Sequence, residues 1–342
     1  MIRTGLIGFG LGGTAFHAPL ISAVPELDLA AIVTSRADAV HAHYPGVHVV
    51  PDAAALLADP AIELVVVCTP NDTHFPLAKA ALEAGKHVVI DKPFSNSVAE
   101  VEVLLALAEA RGRVLSVFHN RRWDSDFLTL KKLLDEGALG EVALYEGRWD
   151  RFRPALRDSW HEAAGPGGGV LIDLGPHLID QALALFGPPE SVSADIVAQR
   201  QGSLVDDYFE LTLQYGRMRA LLSSAVIIPA PRPRFAVHGT RASFVKHGLD
   251  PQEAQLRSGG HADDPDHGVE DPANHGVLVR GDGTKQSIVS ERGDYRRFYS
   301  GVARAIADQV PPPVSPADAL AGLRIIELAR QSAAEGRSLP FR

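Results

Sequence analysis

An apolar stretch, Met1 to Phe9, opens the chain and runs directly into Gly8-Phe9-Gly10-Leu11-Gly12-Gly13. Gly8, Gly10 and Gly13 stand at the G-x-G-x-x-G spacing that follows the first strand of a dinucleotide-binding βαβ unit. Each glycine has its own reason. The first permits the tight turn, the second lets a pyrophosphate approach the backbone, and the third packs helix against strand. Free N–H groups at the start of the next helix then face the phosphates. The same glycines also occur in ordinary turns; the place after a first strand and the βα pattern that follows select the nucleotide reading. Phe9 and Leu11, set between the glycines, are expected at the cofactor with Gly8, Gly10 and Gly13. Pro19 does not fit inside a first helix and is expected to bend or delay it.

The second strand, Leu29 to Val33, ends in Thr34-Ser35-Arg36. An NAD site usually places Asp or Glu here for the ribose hydroxyls, whereas an NADP site offers an arginine for the 2′-phosphate. No acid stands at this strand end, so Ser35 and Arg36 point to NADP, with NAD possible; the alternative for Arg36 is a solvated loop residue.

To about Asn120 strands and helices alternate. Leu64 to Cys68 is a continuous apolar run of the kind buried in a parallel sheet, His87 to Ile90 and Val114 to Phe118 follow as strands, and Phe75 to Ala84 reads as a helix stopped by Gly85. Ser97-Val98-Ala99-Glu100 is a capping box opening a helix to Arg111. This predicts a doubly wound parallel α/β sheet, a Rossmann domain, over residues 1–121. Beyond it short strands dominate: Glu141 to Trp149, Val192 to Ala198, Tyr208 to Gln214, Met218 to Ile228, Arg234 to His238 and Ser243 to Lys246. They predict an α+β domain with an antiparallel sheet over 122–342, a substrate-binding and oligomerisation domain. A helix is expected from Pro176, and Asp250 to Gly276 reads as an irregular excursion. The last helix, Pro316 to Glu335, carries an apolar stripe and is expected to pack on the body.

Bulk properties narrow the class. At 342 residues the chain can hold two cores; its net charge of −9 without a basic block argues against nucleic acid, and no apolar run reaches the length of a membrane span. Cys68 is the sole cysteine, so no intrachain disulfide and no thiolate metal cluster is expected. A cytoplasmic protein without a leader is the expectation.

Three places carry candidate chemistry. Thr69-Pro70-Asn71-Asp72-Thr73-His74 follows the fourth strand, where open α/β sheets bind ligands; Thr69 and Asn71 are turn formers and candidate cofactor contacts together. Asp91-Lys92-Pro93 follows the fifth strand, and the proline holds Lys92 extended at the sheet edge, where it can hydrogen-bond a substrate hydroxyl; a solvated lysine is the alternative. Gly165 to Asp180 leads a glycine-rich loop into a helix start with Asp173 and His177 four residues apart, side chains on one face, and Asp180 after them. Histidine suits removal of an alcohol proton and a carboxylate can orient it; otherwise Asp173 is a cap and His177 a satisfied core residue. Asn120, Arg121, Arg122 and Trp123, at the domain junction, read either as a hinge ion-pair cluster or as neighbours of the nicotinamide. His261, Asp263, Asp264, Asp266, His267 and His275 lack regular ligand spacing and read as a solvated segment; no metal is expected.

Together these residues resemble the Gfo/Idh/MocA oxidoreductase family over essentially the whole chain. The marks are the glycine fingerprint, the Thr69 to His74 loop, Lys92-Pro93 and the Asp173/His177 spacing; Asp91 replaces the more common glutamate before the lysine. Phe16-His17-Ala18-Pro19-Leu20, His119 to Asp124 and Asp173-Leu174-Gly175-Pro176-His177 look most like its NADP-dependent scyllo-inositol dehydrogenase branch. The resemblance implies a Rossmann domain plus an open, mainly antiparallel sheet, with a polyol or sugar between the domains. It implies hydride transfer, with Lys92 polarising the hydroxyl, His177 exchanging its proton and Asp173 positioning substrate or histidine. It places His74, Asp91, Lys92, Asn120, Arg121 and Trp123 near the cofactor and Arg157, Trp160 and His161 in the substrate pocket, and implies a homo-oligomer, dimer or tetramer. Two alternatives stand beside it: an aldose or dihydrodiol dehydrogenase, and a non-catalytic nucleotide-binding sensor.

Overall fold

The computed structural model describes the whole chain except residues 158–161, 164, 166 and 231. By contact, the chain divides into two compact units: Met1–Asn120, Gln252–His267 and Asp294–Leu320 form unit 1, and Arg121–Pro251, Gly268–Gly293 and Ala321–Arg342 form unit 2. The chain first leaves unit 1 after Asn120 and returns to it over residues 252–267 and 294–320.

Unit 1 is built on six parallel strands: β1 (Ile2–Ile7), β2 (Leu27–Val33), β3 (His48–Val50), β4 (Leu64–Val67), β5 (His87–Ile90) and β6 (Leu115–Val117), in the order β3-β2-β1-β4-β5-β6. All four residues of β4 are fully buried, the signature of a central parallel strand covered on both faces. The order reverses between β1 and β4, and ligands of such sheets bind at the carboxyl ends beside that reversal. The irregularity expected at Pro19 takes the form of a π-turn, Gly13–His17, in which Ala18 N–H returns to Gly13 O. Regular helix α1 (Ala18–Ser22) starts only there, so Pro19 lies in a first turn, where a missing N–H costs little. The other helices are α2 (Ala37–His41), α3 (Ala53–Ala58), α4 (His74–Glu83) and α5 (Val98–Arg111). Ser97 caps α5 by accepting the Glu100 N–H at 3.3 Å, but the Glu100 carboxylate pairs with the Ser95 hydroxyl, so only one arm of the expected capping box forms.

The two returning segments complete this unit. Helix α9 (Arg296–Asp308) brings Phe298 and Tyr299, both fully buried, to ring-centroid distances of 5.0 and 5.7 Å from Phe118, and Ser116 Oγ donates to Val314 O at 2.8 Å. The excursion after Asp250 is more ordered than its polar sequence implied. It contains α8 (Gln252–Arg257), and Gln252, Leu256, Ala262 and His267 are buried. Gln252 Oε1 accepts the Tyr295 N–H at 2.8 Å, a partner 43 positions away that no local pattern announces. His267 in particular is not a solvated loop histidine.

Unit 2 carries α6 (Ser125–Asp135), β7 (Val142–Arg148), α7 (Val170–Phe186), β8 (Ser191–Val197), β9 (Tyr208–Tyr215), β10 (Met218–Ala225), β11 (Phe235–Gly239), β12 (Ala242–Lys246), β13 (Gly276–Arg280), β14 (Lys285–Ile288) and β15 (Leu339–Pro340). The nine strands run in the order β14-β13-β12-β11-β7-β10-β9-β8-β15. Every pairing is antiparallel except β7 with β10, so the sheet is open and mainly antiparallel. Strict alternation drives it: Phe209, Leu211 and Leu213 of β9 are fully buried, each stabilising the fold by about 1.5–3 kcal/mol, while the residues between them stay wetter. Leu171, Leu174, Leu178 and Ile179 of α7 pack on this face, joined by Ile325, Ile326 and Ala329 of the last helix, α10 (Pro316–Glu335). Helix α7 begins six residues before Pro176, which lies inside it, so the expected start at the proline is corrected. What sets the true start is a side chain distant in sequence, that of Asp206.

Candidate functional site

The glycine turn of unit 1 fits a dinucleotide. Gly8 has φ +104°, and a Cβ there would lie 2.0 Å from Cys68 O. A Cβ on Gly13 would lie 2.4 Å from Gly8 O, whereas one on Gly10 meets nothing within 4 Å. The outer two glycines are thus fixed by the fold, and the middle one is not. Among the described residues nothing occupies the space at Gly10, which suits a phosphate drawn to the following N–H groups. Phe9 is buried and Leu11 is 61% exposed. Ser35 and Arg36 are exposed at the end of β2, and the Arg36 guanidinium sits 5.7 Å from the centroid of the Phe9 ring. A cation–π contact of this kind, about 0.5–1 kcal/mol, holds a positive charge beside the glycine turn.

Past β4, the Thr69 to His74 loop is tied to the end of β5. His74 is buried, with Nδ1 2.8 Å from Pro93 O and Nε2 2.9 Å from Thr69 O. Thr73 Oγ1 donates within the loop, toward Thr69 Oγ1 and Pro70 O, both at 2.6 Å, and Asn96 Nδ2 donates to Asn71 O at 3.3 Å. The histidine therefore fixes the spacing between the Thr69 loop and the Lys92-Pro93 segment, whose peptide bond is cis. Lys92 N–H donates to Asp91 Oδ1 at 2.8 Å. Burial alone would raise the Asp91 carboxyl, but the His17 hydrogen bond and charge, with the charges of Lys92 and His74, bring it well below the usual carboxylate range. Burial pushes the neighbouring Cys68 thiol well up, and the Asp91 carboxylate reinforces this.

In unit 2 the candidate stretch is α7. Its first residue follows Gly169, which has φ +95° and supplies no side-chain cap. The cap comes from Asp206: its Oδ2 accepts the Leu171 N–H at 2.7 Å, its main-chain oxygen accepts the Val170 N–H at 2.9 Å, and a Cβ on Gly169 would strike its carboxylate at 2.2 Å. Asp173, one turn in, pairs with Arg151 at 2.8 Å. His177 is buried with its ring 5.8 Å from that of Trp149. Arg121 and Arg234 stand over the same indole at 4.7 and 5.5 Å. Asp180, the third residue of the expected face, is engaged by Arg122 through two bonds of 2.7 and 2.9 Å. Gln181 links the arginines, donating to Arg121 O at 2.9 Å and accepting from Arg234 at 2.6 Å. The arginines after Asn120 thus enter an ion-pair and stacking cluster.

Lys92 and the glycine turn belong to unit 1, Asp173 and His177 to unit 2. Within their own units, the sequence-derived residues do group: Gly8, Phe9, Gly10, Gly13 and Arg36 in one, Asp173 and His177 on a single helix in the other. Arg157 is exposed, its N–H donating to Glu162 at 2.8 Å. Trp160 and His161 lie outside the described residues. Sequence reasoning missed Asp206, Arg151, Trp149 and the Asp91 partner His17. Only His17 had a signal, its place in a quoted motif; the others are brought in by pairings across the sheet.

The chain matches the NAD-binding Rossmann fold of the Gfo/Idh/MocA oxidoreductase family over residues 2–119 and that family's C-terminal alpha/beta domain over residues 131–341. It is 48% identical over 335 residues to the uncharacterized oxidoreductase YdgJ of Escherichia coli, covering 97% of this chain and 96% of that protein. It is 41% identical over 341 residues to scyllo-inositol 2-dehydrogenase (NADP(+)) IolW of Bacillus subtilis, covering 99% and 95%. The solved structure of yvaA from Bacillus subtilis superposes with TM-score 0.97 at 40% identity, covering 100% of this chain and 98% of that one. With both domains matched and relatives similar from end to end, the chain belongs to the Gfo/Idh/MocA family of oxidoreductases.

Proposed function

We propose that this oxidoreductase uses NADP to oxidise, reversibly, a ring alcohol of a cyclitol or sugar resembling scyllo-inositol. The observation that carries the cofactor half is the open approach above Gly10, with Arg36 stacked on Phe9 beside it and no acid at the end of β2. The substrate half is supported by the full-length similarity to a scyllo-inositol 2-dehydrogenase.

The nicotinamide, when bound, supplies the hydride acceptor or donor. This chain's residues do the rest. Gly8, Gly10 and Gly13 give the dinucleotide its backbone bed, Ser35 and Arg36 the 2′-phosphate partners, and Thr69, Asn71, His74, Asp91, Asn120, Arg121 and Trp123 the further cofactor wall. Lys92 donates a hydrogen bond to the reacting hydroxyl oxygen and stabilises it as its proton leaves. His177 takes that proton, and Asp173, steadied by Arg151, positions the histidine or the substrate hydroxyls. Arg157 and Trp160 are assigned to the substrate. The assembly is a cytoplasmic homo-oligomer; no helix among the described residues is long and apolar enough to cross a membrane.

A second reading, a dehydrogenase of another sugar, is favoured by similarity to the D-glucoside 3-dehydrogenase of Escherichia coli, at 31% identity over 56% of this chain. Nicotinamide absorbance on mixing protein with NADP or NAD and a panel of inositols, aldoses and glucosides separates the readings. Turnover of scyllo-inositol with NADP supports the first, and turnover restricted to glucosides or aldoses the second. Lys92→Ala and His177→Ala, folded and binding NADPH yet retaining full turnover, would overturn the assigned chemistry. Binding without turnover on the whole panel would favour a sensor.

A further inference from the structure

The carboxyl ends of β4 and β5 and the π-turn before α1 bring three side chains of metal-ligating type together within unit 1. Asp91 Oδ2 lies 3.5 Å from His17 Nε2 and 3.4 Å from Cys68 Sγ, and the three ligand atoms lie within 4.8 Å of one another. Among the described residues no other group of His, Cys, Asp and Glu closes this far. The cluster includes the chain's single cysteine, brought by the fold to a histidine 51 positions earlier and an aspartate 23 later.

We propose that His17, Cys68 and Asp91 form a binding site for a borderline-soft divalent cation of the zinc type, with one coordination position left open. Geometry is the first support. Zinc bonds of about 2.0–2.1 Å to nitrogen, 2.0–2.2 Å to oxygen and 2.3 Å to sulfur, arranged tetrahedrally, put ligand atoms about 3.3–3.6 Å apart. Two edges of the triangle have that length already, and the third, from Cys68 Sγ to His17 Nε2, is no longer than 4.8 Å.

Orientation is the second support. His17 is fully buried, and its Nδ1 lies 2.5 Å from the hydroxyl of Tyr299, itself fully buried. With the proton on Nδ1 the ring donates to the tyrosine oxygen and turns the Nε2 lone pair into the cluster, the arrangement in which metal-binding histidines are held by their outer nitrogen. His17 Nε2 lies 3.5 Å from Asp91 Oδ2 and has no other hydrogen-bond partner among the described residues. The third support is space. A Cβ on Gly12 would lie 2.6 Å from Cys68 Sγ and 3.1 Å from Asp91 Oδ2, so this glycine leaves the Cys68–Asp91 edge uncovered for a fourth ligand such as water. Charge agrees once the metal displaces the Cys68 thiol proton to solvent: thiolate and carboxylate then neutralise a divalent ion, with imidazole as the neutral donor.

The test needs no turnover. The full-length protein, treated with chelator and dialysed, is titrated with Co²⁺, which reports thiolate ligation by a near-ultraviolet charge-transfer band and tetrahedral geometry by intense visible bands; Zn²⁺ is then used to displace it. The expected result is one cobalt per chain, both sets of bands, stoichiometric displacement by zinc, and loss of the charge-transfer band in Cys68→Ser with at least tenfold weaker zinc binding. His17 is buried, so His17→Gln is read only if its circular dichroism matches wild type; Cys68→Ser and Tyr299→Phe carry the test without it. Tyr299→Phe removes only the outer hydroxyl and is expected to weaken zinc binding while keeping the charge-transfer band. No thiolate–cobalt band in wild type, or equal zinc affinity in wild type and Cys68→Ser, overturns the assignment.

Discussion

Replacing Asp206 with alanine isolates what places the helix that carries Asp173 and His177. Helix α7 starts after a glycine with no cap of its own, and its first free N–H groups are taken up by Asp206, the Leu171 N–H by the carboxylate at 2.7 Å and the Val170 N–H by the main chain. Alanine keeps the main-chain bond and deletes the side-chain one. Loss of such a cap costs about 1–2 kcal/mol, and at about 2–4 °C per kcal/mol for a domain of this size the melting transition should fall by roughly 2–8 °C. Asparagine separates the acceptor from the charge. Burial raises the Asp206 carboxyl pKa, partly opposed by the Leu171 N–H and by Arg330. The folded pKa therefore lies above the unfolded one, so the ionised form is disfavoured by folding and that cost appears as pH rises through the folded value. Asp206→Asn, which retains an acceptor without the charge, should be at least as stable as wild type at neutral pH and should converge on it in acid. Thermal melts of the three proteins at neutral and acidic pH decide the matter. If alanine proves silent, or asparagine as damaging as alanine at neutral pH, the cap does not hold α7 in place.

Four further outcomes follow from the same geometry. Gly10→Ala, whose Cβ meets nothing, should change stability by less than about 0.5 kcal/mol yet weaken NADPH binding at least tenfold, read by melting and by NADPH fluorescence; unchanged binding would remove the phosphate from that position. Gly8→Ala, with φ +104° and a Cβ 2.0 Å from Cys68 O, should fail to give folded protein or lose more than about 3 kcal/mol by denaturant titration. Arg36→Ala should weaken NADPH binding by about tenfold, roughly 1.4 kcal/mol, and leave NADH binding within about twofold, measured by the same titration. His87 is lowered to about 4, chiefly by burial and then by Arg113, and its Nδ1 accepts the Val114 N–H at 2.9 Å. As pH falls from about 6.5 to 4 the unfolded chain takes up a proton that the folded one refuses, so stability should drop; allowing for the partial exposure of the ring, the loss is about 1–2 kcal/mol, absent in His87→Asn.

How much of this the sequence disclosed depended on whether the determinant was local. The β4 run Leu64–Val67 and the alternation of β9 are readable because burial on both faces or on one face leaves its period in adjacent residues. The glycine turn is readable for the same reason, each glycine being required within a few residues of the others. Strand β14, Lys285–Ile288, is not: it is an exposed, polar edge held by hydrogen bonds to β13 rather than by a buried face. The start of α7 escapes because its cap comes from Asp206, 35 positions after Leu171. For the same reason Pro176 misleads: proline favours a first turn, yet tertiary packing of Leu171, Leu174 and Leu178 carries the helix through it. Arg151, Trp149 and His17 meet their partners only after the sheets are assembled.

The late return of the chain to unit 1 bears on how the protein is made. A ribosome that has released residues 1–120 has delivered all six parallel strands and the glycine turn. It has not delivered Phe298 and Tyr299, which cover Phe118, or the Tyr299 hydroxyl facing His17, or the Val314 carbonyl that receives Ser116. Until about residue 320 emerges, the nascent nucleotide-binding sheet keeps an apolar face and buried polar atoms open to solvent, at contacts nearly 200 to 280 positions apart in sequence. Such a fragment is prone to associate through that face, so a nucleotide-binding domain cut at its first exit from unit 1 should be recovered as aggregate unless the 294–320 segment is supplied alongside it.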